Sequence, residues 1–342
     1  MKDYHSTYAF EKQDRETFWL KASKSIDWIT PPKIALDDSN SPFSKWFPDG
    51  KMNSCFNAVD RHVLAGRQEQ TAIQYESPIT GQSASMSYGE LKKQTEKFAG
   101  MLNEQGLKKG DRVIIYMPMI KEAVIAMLGC ARIGVVHSVV FGGFAAAELA
   151  KRINDCKPKL IVSASCGHEP NRLVHYKPLL DQAIQQSKYK PSKCIIYQRD
   201  AAKADLIGGR DIEWYEALAS ATPANPVALS ANDPLYILYT SGTTGQPKGV
   251  VRDNGGHAVA LCWSMSNIYD VNPGEVFWAA SDIGWVVGHS YIVYAPLFAG
   301  CTSILYEGKP VGTPDAGAFW SVVEKNNVKT LFTAPTAFRA IK

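Results

Sequence analysis

From about residue 85 the chain alternates short apolar segments, rich in β-branched residues, with amphipathic segments of helical length. The apolar segments are DRVIIYMP, VVHSVVF, KLIVSAS, KCIIYQ, PLYILYT, EVFWAAS, CTSILYE and VKTLFTAP. Strands separated by helices of this length need crossover connections, which favour parallel pairing. The alternation therefore predicts an α/β fold of mostly parallel β-sheets flanked by helices. Ser87 followed by Glu90 is a capping-box pattern, which predicts a helix from this point to Gly106.

The first sixty residues follow a different pattern, with weak periodicity and many aromatic residues and prolines. We expect the aromatic side chains of this segment to pack onto a larger body, and we base this on Trp19, Trp28, Trp46 and Phe47. The change of pattern predicts two units: a lead-in segment of residues 1–60 and a main domain of residues 61–342.

The composition narrows the class of protein. Hydrophobic residues make up 45% and charged residues 20% of the chain, and a net charge of +4 is too small to indicate a nucleic-acid partner. Seven widely spaced cysteines without a CxxC pair predict reduced, mostly buried thiols and no metal site. The chain starts without an apolar leader, and its most apolar stretches contain Arg132, His137 and His289. We therefore expect no secretion and no membrane partner, and a location in the cytoplasm or in an organelle matrix such as the mitochondrial one.

The segment YTSGTTGQPKGV, residues 239–250, has the composition of a phosphate-binding loop. Glycines allow close backbone approach, hydroxyl and N–H groups donate to phosphate oxygens, and a lysine adds a charge. A Walker A loop would need lysine directly after glycine and a hydroxyl residue after the lysine, whereas here Pro247 precedes Lys248 and Gly249 follows it. This spacing argues against a P-loop phosphotransferase. The alternatives are a glycine-rich surface loop without a ligand and, for Lys248 alone, a solvated surface lysine. We expect the loop to follow a strand and open towards a helix.

This loop resembles the phosphate-binding loop of the adenylate-forming superfamily, which includes the acyl-CoA synthetases. The segments SDIGWVVGHSYIVYAPLFAG, VVFGGF, YMPMIKEAVIAMLGCARIG and SPFSKWFPDGKMNSCFNAVDRHV are similar to the short-chain group, the acetyl- and propionyl-CoA synthetases, and GWVVGHSY is most similar to the propionyl form. The resemblance covers nearly the whole chain. It implies that residues 1–60 are an acetyl-CoA synthetase-type N-terminal segment and that residues 61–342 are an AMP-binding domain, incomplete at its C-terminal end.

The resemblance also implies a two-step reaction. A short-chain carboxylate attacks the α-phosphate of ATP to give an acyl-adenylate and pyrophosphate, and the thiol of CoA then releases AMP. The first step needs positioning and charge neutralisation rather than a side-chain nucleophile. By resemblance, the ATP phosphates lie against Thr240, Ser241, Gly242, Thr243, Thr244, Gly245 and Lys248. The residues implied to act most directly in catalysis are Lys248, Thr244 and Trp285.

The same resemblance implies an acyl site and a CoA site. The acyl site consists of Trp285, Val286 and Val287, although a tryptophan among Ile and Val would otherwise be interpreted as core. The CoA site consists of Phe141, Gly142, Gly143, Glu169, Pro170, Asn171, Arg172, Val287 and Val311. Val287 replaces the threonine of acetyl-specific relatives, which favours propionate over acetate. Glu169 and Val311 depart from the arginine and asparagine of acetyl-CoA synthetases, and a carboxylate at position 169 would repel a phosphate.

Three further expectations concern His289, the sites expected beyond Lys342 and an alternative function. His289 is expected to be a structural histidine that donates to a backbone carbonyl. The magnesium ligand, the adenine site and the small C-terminal domain of the family are expected beyond Lys342, so these 342 residues are expected to be inactive alone. The alternative function is a non-catalytic fragment of the same fold that binds nucleotide or another protein.

Overall fold

The computed structural model describes residues 3–240, 247–310 and 313–342, and within these the predicted alternation of strands and helices is confirmed. The strands are β1 (Leu36–Asp37), β2 (Lys45–Trp46), β3 (Lys51–Met52), β4 (Thr71–Ser77), β5 (Gln82–Ser87), β6 (Arg112–Tyr116), β7 (Val136–Val139), β8 (Leu160–Ala164), β9 (Cys166–Glu169), β10 (Arg172–His175), β11 (Lys193–Tyr197), β12 (Asp211–Glu213), β13 (Leu229–Ser230), β14 (Pro234–Thr240), β15 (Lys248–Asp253), β16 (Val276–Ala280), β17 (Thr302–Tyr306) and β18 (Val328–Thr333). The helices are α1 (Tyr4–Gln13), α2 (Arg15–Ala22), α3 (Arg61–Leu64), α4 (Tyr88–Glu104), α5 (Lys121–Arg132), α6 (Ala146–Cys156), α7 (Tyr176–Gln186), α8 (Trp214–Ala219), α9 (Gly255–Asn267), α10 (Ala295–Phe298), α11 (Gly317–Lys325) and α12 (Pro335–Ala340), with π-helical segments at Phe56–Asp60 and Gly288–Tyr294 and a 3-10 turn at Ser23–Ser25.

Two large sheets organise the main domain. The seven-stranded sheet has the order β12-β11-β8-β6-β7-β14-β15, and the five-stranded sheet has the order β18-β16-β17-β4-β5. Each sheet is parallel except for one antiparallel edge strand, β15 in the first and β5 in the second. The predicted fold class, mostly parallel sheets flanked by helices, is therefore confirmed.

The central strand β6 shows how the seven-stranded sheet is covered on both faces. Val113 and Ile115 pack into the core that contains α4 and α5, whereas Ile114 and Tyr116 pack into a second core with α6 and α7. Successive side chains of a strand point to opposite faces, so the two helix pairs lie on opposite sides of the sheet.

The helix α4 forms as its capping box predicts. The Ser87 hydroxyl accepts from the Glu90 N–H at 3.2 Å, and the Glu90 carboxylate accepts from the Ser87 N–H at 2.8 Å. The strands before this helix, β4 and β5, were not predicted from the sequence. The sequence of β5, QSASMS, is polar and poor in β-branched residues, so its strand state is decided by its pairing with β4 rather than by local propensity.

The lead-in segment packs onto the main domain, as expected from its aromatic residues. Trp19 contacts Trp46 and Trp263 with ring centroids 5.6 and 6.0 Å apart, and Phe47 is fully buried beside Trp28. Polar contacts add to this packing, since the side-chain amide of Asn53 donates to the backbone oxygens of Arg132 and Val227, each at 2.9 Å.

All seven cysteines are buried with free thiols, as the sequence predicts. Among the described residues, no helix combines the length and the apolar character that crossing a bilayer would require.

Candidate active site

The stem of the predicted phosphate loop is a β-hairpin. Thr240 ends β14, Lys248 begins β15, and the two residues pair directly across the antiparallel ladder. The expectation that the loop opens towards a helix was wrong, because the β-branched run of β15 pairs with β14 and α9 begins only at Gly255. The hairpin places the exposed Lys248 at the mouth of the loop. The predicted phosphate contacts Ser241, Gly242, Thr243, Thr244 and Gly245 lie outside the described residues.

The hairpin stem is held by the helix α6. The Tyr239 hydroxyl donates to the Asp155 carboxylate at 2.5 Å, and burial raises the pKa of Tyr239. The guanidinium of Arg152 lies 5.7 Å from the centroid of the Tyr239 ring and 4.4 Å from that of Phe144. Cations over aromatic faces are attracted by the ring quadrupole. Arg152 therefore joins the stem of the loop to the segment that follows β7.

Trp285 lies on the same surface. It is 45% exposed, so it is not a plain core residue. Its ring centroid is 5.5 Å from that of Phe141 and 6.2 Å from that of Phe144. The contacts of Phe144 and Arg152 therefore connect Trp285 with Tyr239, although the two residues belong to separate motifs.

A tight turn after β16 sets the position of Trp285. The Gly284 N–H donates to the Asp282 carboxylate at 2.7 Å, and a Cβ on Gly284 would lie 2.7 Å from the backbone nitrogen of Phe141. The glycine is therefore required for close approach of this turn to the Phe141 segment. Burial raises the pKa of Asp282 to about 6, opposed by the Gly284 hydrogen bond.

The two valines after Trp285 face different surroundings. Val286 is exposed and lines a cleft of about 770 Å³, whereas Val287 packs against the main core. Val251 and Arg252 of the loop-stem strand β15 line the same cleft. The other side of the cleft includes Trp46 from the lead-in segment, a contribution that the sequence analysis did not predict.

Buried histidines and tyrosines form the floor under these residues. His289 Nδ1 lies 3.1 Å from the backbone oxygen of Trp285, in agreement with the expected structural role of His289. Tyr294 contacts His137 at 3.1 Å, and Tyr236 contacts His257 at 3.3 Å. Burial lowers the pKa of His257 to about 3, that of His289 to about 4, and that of His137 well below its usual range. The histidines of the floor are therefore neutral at physiological pH.

The predicted CoA segments occupy two neighbouring turns. A Cβ on Gly142 would lie 1.8 Å from the Tyr176 hydroxyl, and one on Gly143 would lie 2.4 Å from the Phe141 ring, so both positions need glycine. Pro170 and Asn171 form the turn of the β9–β10 hairpin. The predicted contact Val311 lies outside the described residues.

The negative charge of Glu169, which is expected to repel a phosphate, is paired with two neighbouring cations. Arg172 donates to the Glu169 carboxylate at 2.8 Å, and Lys309 donates to it at 3.4 Å. The hydrogen bond from Arg172 lowers the pKa of Glu169. One carboxylate and two cations leave this edge with a net positive charge, which suits a phosphate better than the sequence alone indicated.

Known protein families and relatives are similar to this chain over nearly its whole length. The family model "AMP-binding enzyme" matches residues 60–342, and the family model "Acetyl-coenzyme A synthetase N-terminus" matches residues 4–58. The chain is 53% identical over 341 residues, 99% of its length, to the mitochondrial acyl-CoA synthetase short-chain family member 3 of Rattus norvegicus. It is 49% identical over 96% of its length to the propionate–CoA ligase of Escherichia coli and 45% identical over 97% of its length to the acetyl-coenzyme A synthetase of Streptomyces avermitilis. It spans about half the length of these relatives, 50% to 52%.

Proposed function

We propose, from the premise that this chain belongs to the AMP-binding enzyme family, that the protein activates a short-chain carboxylate with ATP and transfers the acyl group to CoA. AMP and pyrophosphate are the other products. The chain supplies the phosphate loop, the acyl site and one edge of the CoA site.

One observation carries this proposal. The cleft at Val286 is also lined by Val251 and Arg252, which belong to the strand that begins at Lys248. A carboxylate whose acyl chain contacts Val286 would therefore lie beside the stem of the loop proposed to hold the ATP phosphates. Attack of a carboxylate on a phosphorus atom requires the acyl site and the phosphate loop to be on the same side of the protein, and the shared strand supports this arrangement.

The side chains act by positioning and by charge. Lys248 neutralises the phosphates at the mouth of the loop. Thr240 lies at the opposite side of the hairpin, where its hydroxyl donates to the Lys248 backbone oxygen at 3.5 Å. Trp285 separates the acyl site from the Phe141 segment, which leads to the CoA edge. Magnesium enters this proposal as the counter-ion of the ATP phosphates, and we assign no residue of the chain to it.

We propose propionate as the preferred carboxylate and acetate as the second. Val286 supplies apolar surface without a hydroxyl to the cleft, which favours an additional methylene by about 1 kcal/mol, whereas Val287 packs against the main core and acts on the acyl site only through its neighbour. The names of two relatives, a propionate–CoA ligase and a short-chain family member, are consistent with this choice.

We propose that the CoA nucleotide binds along Gly142, Gly143 and Arg172. The turn at the two glycines packs closely against Tyr176 and Phe141 and would form a wall of the site, and the guanidinium of Arg172 is suited to the 3′-phosphate. The protein is proposed to act in the cytoplasm or, as the mitochondrial relatives suggest, in the mitochondrial matrix. We propose no nucleic-acid partner and no membrane partner.

The test is formation of AMP from ATP that depends on a carboxylate and on CoA, measured on the full-length gene product with propionate, acetate and butyrate. We expect the highest kcat/KM with propionate. Lys248→Ala should lower AMP formation by about tenfold or more, whereas Lys93→Ala, at an exposed lysine of α4, should leave it unchanged. Absence of AMP formation with every carboxylate would contradict the proposal.

The 342 residues alone are proposed to bind substrate without completing the reaction, because the chain spans about half the length of its relatives. The same assay on the purified 342-residue chain tests this, and carboxylate-dependent AMP formation by that chain would refute it.

A further inference from the structure

A buried ion pair joins the two large sheets of the main domain. Arg199 follows β11 of the seven-stranded sheet, and Glu307 follows β17 of the five-stranded sheet. The Arg199 guanidinium donates to both carboxylate oxygens of Glu307, at 2.6 and 2.9 Å, and the two side chains are only 9% and 4% exposed. A bidentate pair holds both planar groups in one orientation, so it adds geometric specificity as well as energy. The position of Glu307 relative to Arg199 is therefore closely specified.

The carboxylate of Glu307 is also held from the side of β4. It accepts from the Tyr75 hydroxyl at 2.5 Å and from the Ser77 hydroxyl at 3.3 Å, and the Glu307 N–H donates to the backbone oxygen of Glu76 at 2.8 Å. Burial raises the pKa of Tyr75, so its hydroxyl keeps the proton that it donates. Glu307 is therefore fixed by β4 on one side and by Arg199 on the other.

The fixed position of Glu307 determines where the next residues leave the sheet. Lys309 lies two residues further along the chain, and its N–H donates to the Thr313 hydroxyl at 3.0 Å. From this position the Lys309 side chain donates to Glu169 at 3.4 Å. The ion pair therefore anchors the start of a short segment whose lysine reaches the proposed CoA edge.

Arg199 also holds the other part of the CoA edge, through its backbone. The Arg199 N–H donates to the Ser165 hydroxyl at 2.9 Å, and Ser165 directly precedes β9. The Ser165 backbone oxygen accepts from the N–H of Tyr176, the first residue after β10, at 3.1 Å. Both ends of the β9–β10 hairpin therefore meet at Ser165, and this hairpin carries Glu169 and Arg172.

The CoA edge thus depends on two segments that are far apart in sequence. The hairpin supplies Arg172, the segment after β17 supplies Lys309, and both cations pair with the same carboxylate, that of Glu169. Arg199 fixes the hairpin through its backbone and the other segment through its side chain. Groups that bind one ligand together must keep their relative positions, and a displacement of about 1 Å can lower a rate about 100-fold.

We propose that Arg199 and Glu307 are positioning residues for CoA, which hold Lys309 beside Arg172 so that the two cations bind the 3′-phosphate together. The proposal rests on the proposed function and deepens its assignment of the CoA site. It adds Lys309 as a phosphate contact, and it assigns no contact with CoA to Arg199 or Glu307.

Titration calorimetry with CoA and with dephospho-CoA, which lacks the 3′-phosphate, tests the proposal on the full-length gene product. Glu307→Gln should weaken the binding of CoA by about tenfold and that of dephospho-CoA by less than about twofold, because only the grip on the 3′-phosphate is lost. Lys309→Ala should show the same selective loss. Arg199→Lys keeps the charge but not the bidentate geometry, so we expect a loss of CoA affinity between those of the unsubstituted protein and Glu307→Gln.

Asp60→Asn is the matched control for loss of a buried carboxylate. Asp60 forms the other buried bidentate pair, with Arg132, at 2.7 and 2.9 Å. Thermal unfolding should show a loss of stability in both Asp60→Asn and Glu307→Gln, because each leaves a buried guanidinium without its counter-charge. Only Glu307→Gln should change the ratio of the CoA and dephospho-CoA affinities.

Equal losses of CoA and dephospho-CoA affinity in Glu307→Gln would show that the pair only stabilises the fold, and would overturn the proposal. An unchanged CoA affinity, or no measurable CoA binding by the unsubstituted protein, would overturn it as well. Carboxylate-dependent exchange of pyrophosphate into ATP needs no CoA. Its absence would contradict the proposed activation of a carboxylate, whereas the binding measurements decide the positioning role, so the two failures are distinguishable.

Discussion

The rim and the floor of the candidate active site are built from different kinds of residue. The rim consists of Trp285, Lys248 and the Glu169–Arg172 pair, which lie at turns or at strand ends and of which all but the half-buried Glu169 are exposed. The floor beneath it consists of buried polar groups that contact one another, such as His257, His289 and their tyrosine neighbours. Removing the partner of a buried polar group lowers the free energy of unfolding, whereas substituting an exposed polar group changes it little. We therefore expect floor substitutions to affect stability and rim substitutions to affect the reaction.

The largest effect is expected where the lead-in segment joins the main domain. Arg132 forms a bidentate ion pair with Asp60 at 2.7 and 2.9 Å, and both side chains are almost fully buried. Arg132→Ala would leave the Asp60 carboxylate buried and unpaired, which costs about 3–5 kcal/mol of unfolding free energy in comparable pairs. Urea unfolding of the two proteins measures this change in the free energy of unfolding. Arg172→Ala removes an exposed rim arginine and should lower the unfolding free energy by less than about 1 kcal/mol. Equal losses of unfolding free energy in the two variants would contradict the difference between buried and exposed groups.

The second effect is the response of the floor to acid. Because the pKa values of His257 and His289 in the fold lie far below the usual 6.5, the unfolded chain binds protons that the folded chain excludes. Stability is therefore complete above pH 6.5 and is lost as the pH falls from 6.5 towards 4, by about 1.4 kcal/mol per pH unit for each histidine. Unfolding free energies measured at several pH values give the slope. His257→Gln should reduce it by about 1.4 kcal/mol per pH unit, whereas His175→Gln, at an exposed residue, should leave it unaltered.

A smaller effect on stability, but a larger one on the reaction, is expected for Trp285. Because its ring is 45% exposed, Trp285→Ala should lower the unfolding free energy by about 1 kcal/mol, while kcat/KM for propionate should fall by about tenfold. Trp320→Ala is a matched control, since Trp320 is 47% exposed on α11, outside the proposed site. A similar loss of activity in both variants would argue against a role of Trp285 at the acyl site.

The smallest effect on stability is expected for Glu169. Glu169→Gln removes a partly exposed ion pair, so the unfolding free energy should change by less than about 0.5 kcal/mol. The affinity for CoA should rise severalfold, because Arg172 and Lys309 lose their competing carboxylate. Equilibrium binding of CoA to the full-length protein checks this, with Glu324→Gln on α11 as the control. A weaker affinity for CoA would show that Glu169 itself contacts the ligand.

Much of the fold could be predicted because its signals are local. The capping box at Ser87 and Glu90 involves residues three positions apart, and each apolar run that was assigned to a strand is one. Predictions failed where pairing across the sheet decided the outcome. The strand that begins at Lys248 forms because β14 offers a free edge, and β5 forms because β4 does.

The sequence by itself determined the fold class, the position of α4 and the motifs that suggest an adenylate-forming enzyme. Each of these depends on residues close together along the chain, whose conformational preferences and chemistry can be interpreted locally. Only the tertiary structure decided that Val286 and the loop stem share a cleft and that Arg152 connects Phe144 with Tyr239. These arrangements depend on the order of the parallel strands, which is fixed by contacts between residues far apart in sequence.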